Sequence, residues 1–268
     1  MQPEDLNTWA EWPPIVLVRE SATRLVRVLE QIEPVMQRDD IAPWVLVGGL
    51  AVQIWVQSDR ATKDIDLSVQ DRSVTASIVR QHLATATAQR NGVTIDGVAV
   101  DFLEAFDPSL IPDDVAIDDA WFRNLTWFEA LRLRYLRRLI AMEQQEARTV
   151  EVAVALPGIL LAMKLAAVAA AAPGASDKRL LEKQGSDVYD IVTLVEAATA
   201  ERLIIDLRRA DQRLFDRTVE LADRWLLGEP MTLAKRTELS ADSGVIAVVS
   251  GRVEQCGFDL SEAVASMR

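Results

Sequence analysis

The 268-residue sequence has one cysteine, Cys256, so no disulfide can close within the chain, and a reducing compartment is expected. Its only histidine, His82, falls in a polar helical stretch and is read as incidental. Positive charge is scarce too: 29 lysines and arginines against 41 acids leave a net charge of −12. A field of that sign opposes polyanions at long range and counts against a general DNA or RNA coat protein. It leaves room for an enzyme with a local basic groove, which "RLRYLRRL" (Arg132 to Leu139) could supply. The opening "MQPEDLNTWAEWPP" has acids and prolines where a secretory signal needs basic residues and an apolar stretch, so no export is expected. One apolar run, Val152 to Ala175, carries a single charge, Lys164, and is divided by Pro157-Gly158. A lysine at the centre of a helix in lipid would cost about 3 kcal/mol. The run is therefore expected as a buried strand–turn–helix, in a cytoplasmic protein with no membrane partner.

What is present fits a globular protein of one or two domains, with half of its residues hydrophobic and no internal repeat. The apolar spacing predicts a helix from Ile15 to about Glu33, then a short strand "WVLV", a turn at Gly48-Gly49 and a helix from Leu50 to Gln57. A strand over Asp64 to Val69 and a helix over about Ser73 to Ala88 follow. Asp96-Gly97 is a favoured hairpin turn. After an acidic, proline-bearing loop, Thr126-x-x-Glu129 has the pattern of a capping box, opening a helix that would carry the basic cluster. "TVEVAVAL" alternates as a strand. Helices are expected over Ile159 to Ala172, Gly185 to Ala200 and Glu201 to Leu227, and the last forty residues have no strong pattern. The fold class is thus α+β (mixed α/β): a small mixed sheet flanked by helices over residues 1–155, and a mainly helical domain over 156–268 that completes a cleft.

Within this order, "DIDL" places two acids one residue apart in an apolar strand. Side chains alternate along a strand, so Asp64 and Asp66 share a face while Ile65 and Leu67 face the core. Two adjacent carboxylates repel unless a cation lies between them, and a hard divalent ion such as Mg²⁺ prefers oxygen ligands and brings phosphates with it. "VAVDFLE" offers a third acid, Asp101, although Glu104 or Asp96 could fill that place. Three such acids could hold two metals, and Asp101 could also take a nucleophile's proton. Gly48-Gly49, at a strand-to-helix turn, would let backbone N–H groups approach a phosphate. Simpler readings exist for each. The acids could be a solvated strand edge paired with Lys63 and Arg60, and the glycines could be a tight turn.

The order strand–Gly-Gly–helix–strand–Asp-x-Asp, followed by an acid on a later strand, resembles the DNA polymerase β-type nucleotidyltransferase superfamily. "ATKDIDL", "LPGILLAMKLAAV" and "SDVYDIVTL" look like its AbiEii/MenT branch of toxins, with the resemblance spanning about Trp44 to Leu194. It implies a Mg²⁺- or Mn²⁺-dependent transfer of NMP from an NTP to an acceptor, the tRNA 3′ end in MenT members. It also implies a toxin–antitoxin role of the AbiE, phage-defence type, with a cognate antitoxin as partner. By motif position Asp64 and Asp66 would bind metal, Lys164 the phosphates, and Asp187 would be a further catalytic or nucleotide-binding acid. Ser186 replaces a common lysine, and the arginine expected after the Lys164 helix would be Arg179 or Lys178. The simpler readings are that Lys164 snorkels to water and that Asp187 pairs with Lys183 one helical turn earlier. Arg132, Arg134, Arg137 and Arg138 are acceptor-contacting candidates or a solvated helix face, and Trp9, Trp12 and Trp121 could stack bases or pack. Two alternatives stand beside the toxin: a nucleotidyltransferase for a small molecule or protein hydroxyl, and an inactive nucleotide-binding module.

Overall fold

The computed structural model describes residues 15–18, 20–37, 43–57, 62–110, 118–143, 146–170, 178–240 and 247–267. Among these, the strands are β1 (Ile15–Leu17), β2 (Trp44–Val47), β3 (Asp64–Val69), β4 (Thr87–Gln89), β5 (Gly92–Ile95), β6 (Val98–Glu104), β7 (Arg134–Glu143) and β8 (Glu146–Ala155). They form one mixed sheet in the order β1-β7-β8-β2-β3-β6-β5-β4. The pairs β1/β7, β8/β2 and β3/β6 are parallel and the others antiparallel. Four helices punctuate these strands: α1 (Thr23–Met36), α2 (Gly48–Val56), α3 (Arg72–His82) and α4 (Asp119–Arg132). The chain then becomes helical, through α5 (Pro157–Ala169), α6 (Lys178–Ala198), α7 (Ala200–Arg208), α8 (Gln212–Ala222), α9 (Pro230–Leu239) and α10 (Ser250–Ser266). The expected mixed α/β class is present, with a sheet larger than expected.

The central strands show why the site lies where it does. Ile65, Leu67 and Val69 of β3 are buried, as are Val98, Val100 and Phe102 of β6, so these alternate positions anchor both strands in the core. The intervening positions carry Asp64, Asp66 and Asp101. Farther along β3 on that acid-bearing face, buried Ser68 donates to the Trp127 carbonyl of α4 at 2.8 Å. On the opposite face, α1 packs on β7 and β8, where Glu30 pairs with Arg148 at 2.8 Å and Arg27 with Glu143. Helix α5 starts at Pro157, and the buried carboxylate of Asp206 on α7 accepts from the Gly158 N–H at 3.1 Å. That bond stands in for the cap that Leu156 lacks. No helix of the described residues is long and apolar enough to cross a membrane, and residues 152–170 form the buried strand–turn–helix expected, the rest of that run lying outside the described residues.

Several local expectations are overturned. Residues 15–17 form a strand beside β7, and the helix begins only at Thr23. The helix after Asp71 stops at His82, because Thr87–Gln89 pairs with β5 as an edge strand. "RLRYLRRL" is not helical: α4 ends at Arg132 and β7 begins at Arg134, held by ten successive pairings from Arg134↔Ala155 to Glu143↔Glu146. Thr126 and Glu129 lie inside α4 rather than capping it. The true cap is Asp118, which accepts from the Trp121 N–H at 2.8 Å. The single helix expected over 201–227 is broken at Asp211, which caps α8, and α8 continues into a π turn at Asp223–Leu227. Asp96 and Gly97, with φ of 50° and 73°, make the expected hairpin turn.

Candidate active site

In the parallel register of β3 and β6, Asp66 lies directly beside Asp101, and Asp64 beside Ala99. Asp64, Asp66 and Asp101 therefore share one face of two adjacent strands. Gly48 opens α2 with φ +70° and abuts this face, for a methyl group at its Cα would land inside the Asp66 carboxylate. Only glycine combines that backbone with that contact. The carboxylates are held by different neighbours: Thr62 donates to Asp64 at 3.0 Å and Gln89 to Asp101 at 2.7 Å.

The electrostatics are those of crowded acids. Burial pushes the Asp66 carboxyl up to about 7, Asp64 and Asp101 add to the rise, and Lys164 and Lys183 oppose it. Burial also raises Asp101, as does the Asp64 charge, against the Lys183 ammonium and the Gln89 hydrogen bond. Of the other acids considered, Asp96 sits in the hairpin turn and accepts from Gln31 at 2.8 Å. Glu104 is exposed and, three residues on from Asp101, projects to the other face of β6. Asp101 is the third acid that the register delivers.

The helical half brings a second set of charges to this face. Lys164 of α5 is buried and pairs with Asp187 at 2.7 Å and Asp190 at 2.8 Å, both on α6. Two of the simpler readings are thereby set aside: Lys164 does not snorkel to water, and Asp187 reaches across to α5. Lys183 is exposed, one helical turn before Asp187, and its charge acts on both Asp66 and Asp101. From sequence, Gln89 was not noticed, Lys183 was considered only as a partner for Asp187, and Asp190 stood in the quoted "SDVYDIVTL" without a role. Asp190 could have been given one, since it follows Asp187 by three residues and so shares its helix face. Gln89 could not, because its part depends on strand pairing. Gly49, the second glycine, is buried inside α2.

The four arginines do not form a common groove. Arg137 is 1% exposed, with its guanidinium 4.2 Å from the Trp55 ring centre and 5.7 Å from that of Tyr135. Arg138 is on the opposite face of β7 and pairs with Glu151 at 2.5 Å. Arg132 bonds Glu129 at 2.9 Å and the Arg209 carbonyl at 2.6 Å, and Arg134 donates to the Leu131 carbonyl. They share no helix face, because Arg132 ends α4 while Arg134, Arg137 and Arg138 lie in β7. Trp121 stacks edge-on to Phe106 at 5.5 Å. Trp9, Trp12 and Arg60, and the side chains of Lys178 and Arg179, lie outside the described residues.

Chemically, the face offers oxygen donors of high negative charge beside a helix N-terminus and an exposed ammonium. Among the described residues no three His, Cys, Asp or Glu side chains are drawn together as a ready-made metal cluster. The donor chemistry nevertheless fits a hard divalent cation: all three groups are carboxylates, and their mutual repulsion is what such an ion would relieve.

The model of a protein family described as "Nucleotidyl transferase AbiEii toxin, Type IV TA system" matches residues 35–242. No curated protein sequence matches the chain. The crystal structure of an antigenic nucleotidyltransferase-like protein from Paracoccidioides brasiliensis is similar at a TM-score of 0.42 and 16% identity, covering 88% of this chain and 97% of that one.

Proposed function

The chain belongs to the AbiEii nucleotidyltransferase toxin family of type IV toxin–antitoxin systems, and from that premise we propose that it transfers NMP from an NTP to the 3′ end of tRNA. The family makes it a nucleotidyltransferase and implies an NTP substrate and a cognate antitoxin. The observation that carries the finer reading is the in-register pair Asp66–Asp101 set against the Gly48 turn. A cytoplasmic, phage-defence role like that of the AbiE and MenT systems goes with this reading.

The acceptor hydroxyl attacks the α-phosphorus, an O–P bond forms, the bond to the β-phosphate oxygen breaks, and pyrophosphate leaves. Asp101, raised above the ordinary carboxylate range, takes the hydroxyl proton. Backbone N–H groups at Gly48 and Gly49, at the start of α2, face the phosphates. Lys183, exposed beside the acids, grips the outer phosphates. Lys164, paired with Asp187 and Asp190, ties α5 to α6, and its charge opposes the rise at Asp66. Asp64, Asp66 and Asp101 would hold Mg²⁺ or Mn²⁺, which when bound stabilises the triphosphate charge and acidifies the attacking hydroxyl. We assign residues 1–155 to the catalytic unit and 156–268 to a helical unit that closes the cleft.

A second reading keeps the chemistry and changes the acceptor to a cationic small molecule. It is favoured by the net charge of −12 and by the engagement of Arg132, Arg137 and Arg138 within the fold. The test is incubation with Mg²⁺, NTPs labelled at the α-phosphate and total tRNA, beside a panel of aminoglycosides. Label on tRNA, absent with Asp66→Ala, supports the first reading. Label on the drug alone supports the second, and no label on any acceptor rejects both.

A further inference from the structure

Three strands place Gln89, Gly92 and Asp101 in one line. Gln89 pairs with Gly92 across β4/β5, and Gly92 pairs with Asp101 across β5/β6. Residues directly opposite one another share a sheet face, so Gln89 lies on the acid-bearing face, two strands from Asp101. Strands lie about 4.8 Å apart, so the two backbones are roughly 10 Å from each other, beyond the reach of either side chain alone. They meet because each side chain covers part of the gap. The Gln89 amide reaches across β5 and donates to Asp101 Oδ1 at 2.7 Å. The Thr94 hydroxyl, two residues after Gly92 on the same face, bonds the Gln89 Oε1 at 3.1 Å and so fixes which end of the amide points to Asp101. Gly92 itself cannot be replaced without disturbance, since a Cβ there would meet the Val100 carbonyl.

The geometry points to Gln89 as a positioning residue for the transfer reaction: with Thr94 behind it, it holds Oδ1 of Asp101 and leaves Oδ2 to the reacting groups. This rests on the reading of Asp101 given above. The β4–β5 hairpin at the sheet edge thereby acquires a role in the site, presenting one amide to Asp101. Gln89 is half-buried at the edge of the sheet.

The experiment compares Gln89→Leu, Gln89→Asn, Thr94→Val and Asp101→Asn with wild type. Two readouts are taken: Mn²⁺ affinity of the protein without substrate, from the electron paramagnetic resonance of free Mn²⁺, and kcat and KM for NTP. Loss of a group that orients a metal-binding side chain typically costs about tenfold or more in affinity or rate. Gln89→Leu should therefore lose about tenfold in kcat and in Mn²⁺ affinity, with KM for NTP and the unfolding midpoint unchanged. Gln89→Asn, one methylene too short, should match it, and Thr94→Val should fall between it and wild type. Wild-type kcat and Mn²⁺ affinity in Gln89→Leu, beside an inactive Asp101→Asn, would overturn the inference and leave the site reading standing. So would a loss explained by a lower unfolding midpoint. Full activity in Asp101→Asn would remove the site reading and the inference with it.

Discussion

Replacing Asp66 with asparagine should make the metal-free protein more stable while abolishing its activity. Asp66 is half-buried, with Asp64 and Asp101 on the same face, and its carboxyl is raised from 3.8 to about 7. Because the folded protein holds this proton more tightly than the unfolded chain, the associated stability is full below about pH 4 and is lost as pH rises through about 7. Each tenfold step in the proton equilibrium is worth about 1.4 kcal/mol, so ionising Asp66 costs the fold up to about 4 kcal/mol. Solvent at a half-buried group lowers this to roughly 2–3 kcal/mol. Asparagine keeps the shape and carries no charge to ionise. Urea unfolding in the presence of a chelator should show Asp66→Asn more stable than wild type by that margin at about pH 8, and equal to it at about pH 4. Equal stability at both pH values, or a destabilised variant at the higher one, would refute the claim that charge is crowded at this position. Added Mg²⁺ should narrow the difference at the higher pH by stabilising wild type alone.

Further substitutions probe the other parts of the site. Lys183→Ala should raise KM for NTP about tenfold, the worth of one charged phosphate contact, with kcat and the urea midpoint little changed because the side chain is exposed. Lys164→Met leaves Asp187 and Asp190 buried without their shared cation and should destabilise the protein by about 3–5 kcal/mol in urea unfolding. Gly48→Ala should cost about 1–2 kcal/mol for its left-handed backbone and about a hundredfold in kcat, because the new methyl displaces the Asp66 carboxylate. An unaltered kcat in Gly48→Ala would separate the Gly48 turn from the chemistry.

What could be read from the sequence was what local pattern controls. The strand Asp64–Val69 alternates cleanly, so its limits and the shared face of its two acids were legible, as was the Asp96-Gly97 turn, whose chemistry is complete in two residues. The segment around Arg132 to Arg138 misled because leucine and arginine suit helix and strand alike at that spacing. Ten pairings with β8 decided the outcome, and those involve residues later in the chain. Residues 15–17 became a strand for the same reason, through a parallel partner more than a hundred residues away. In the site, Lys164 was visible as a lone charge in an apolar run and Asp187 through the motif that carries the resemblance, but their pairing was not, because it joins two helices. Gln89 was invisible, since its part exists only once β4, β5 and β6 are in register.

The measurement closest to the central claim is a stoichiometric one: pyrophosphate released against NMP covalently gained by the acceptor, with Mg²⁺ and NTP supplied. The account predicts one pyrophosphate for each NMP attached in the wild-type protein, and neither product in Asp64→Ala or Asp66→Ala. Pyrophosphate release that survives both substitutions, or turnover that yields free phosphate with no mass gained by any acceptor, would contradict it.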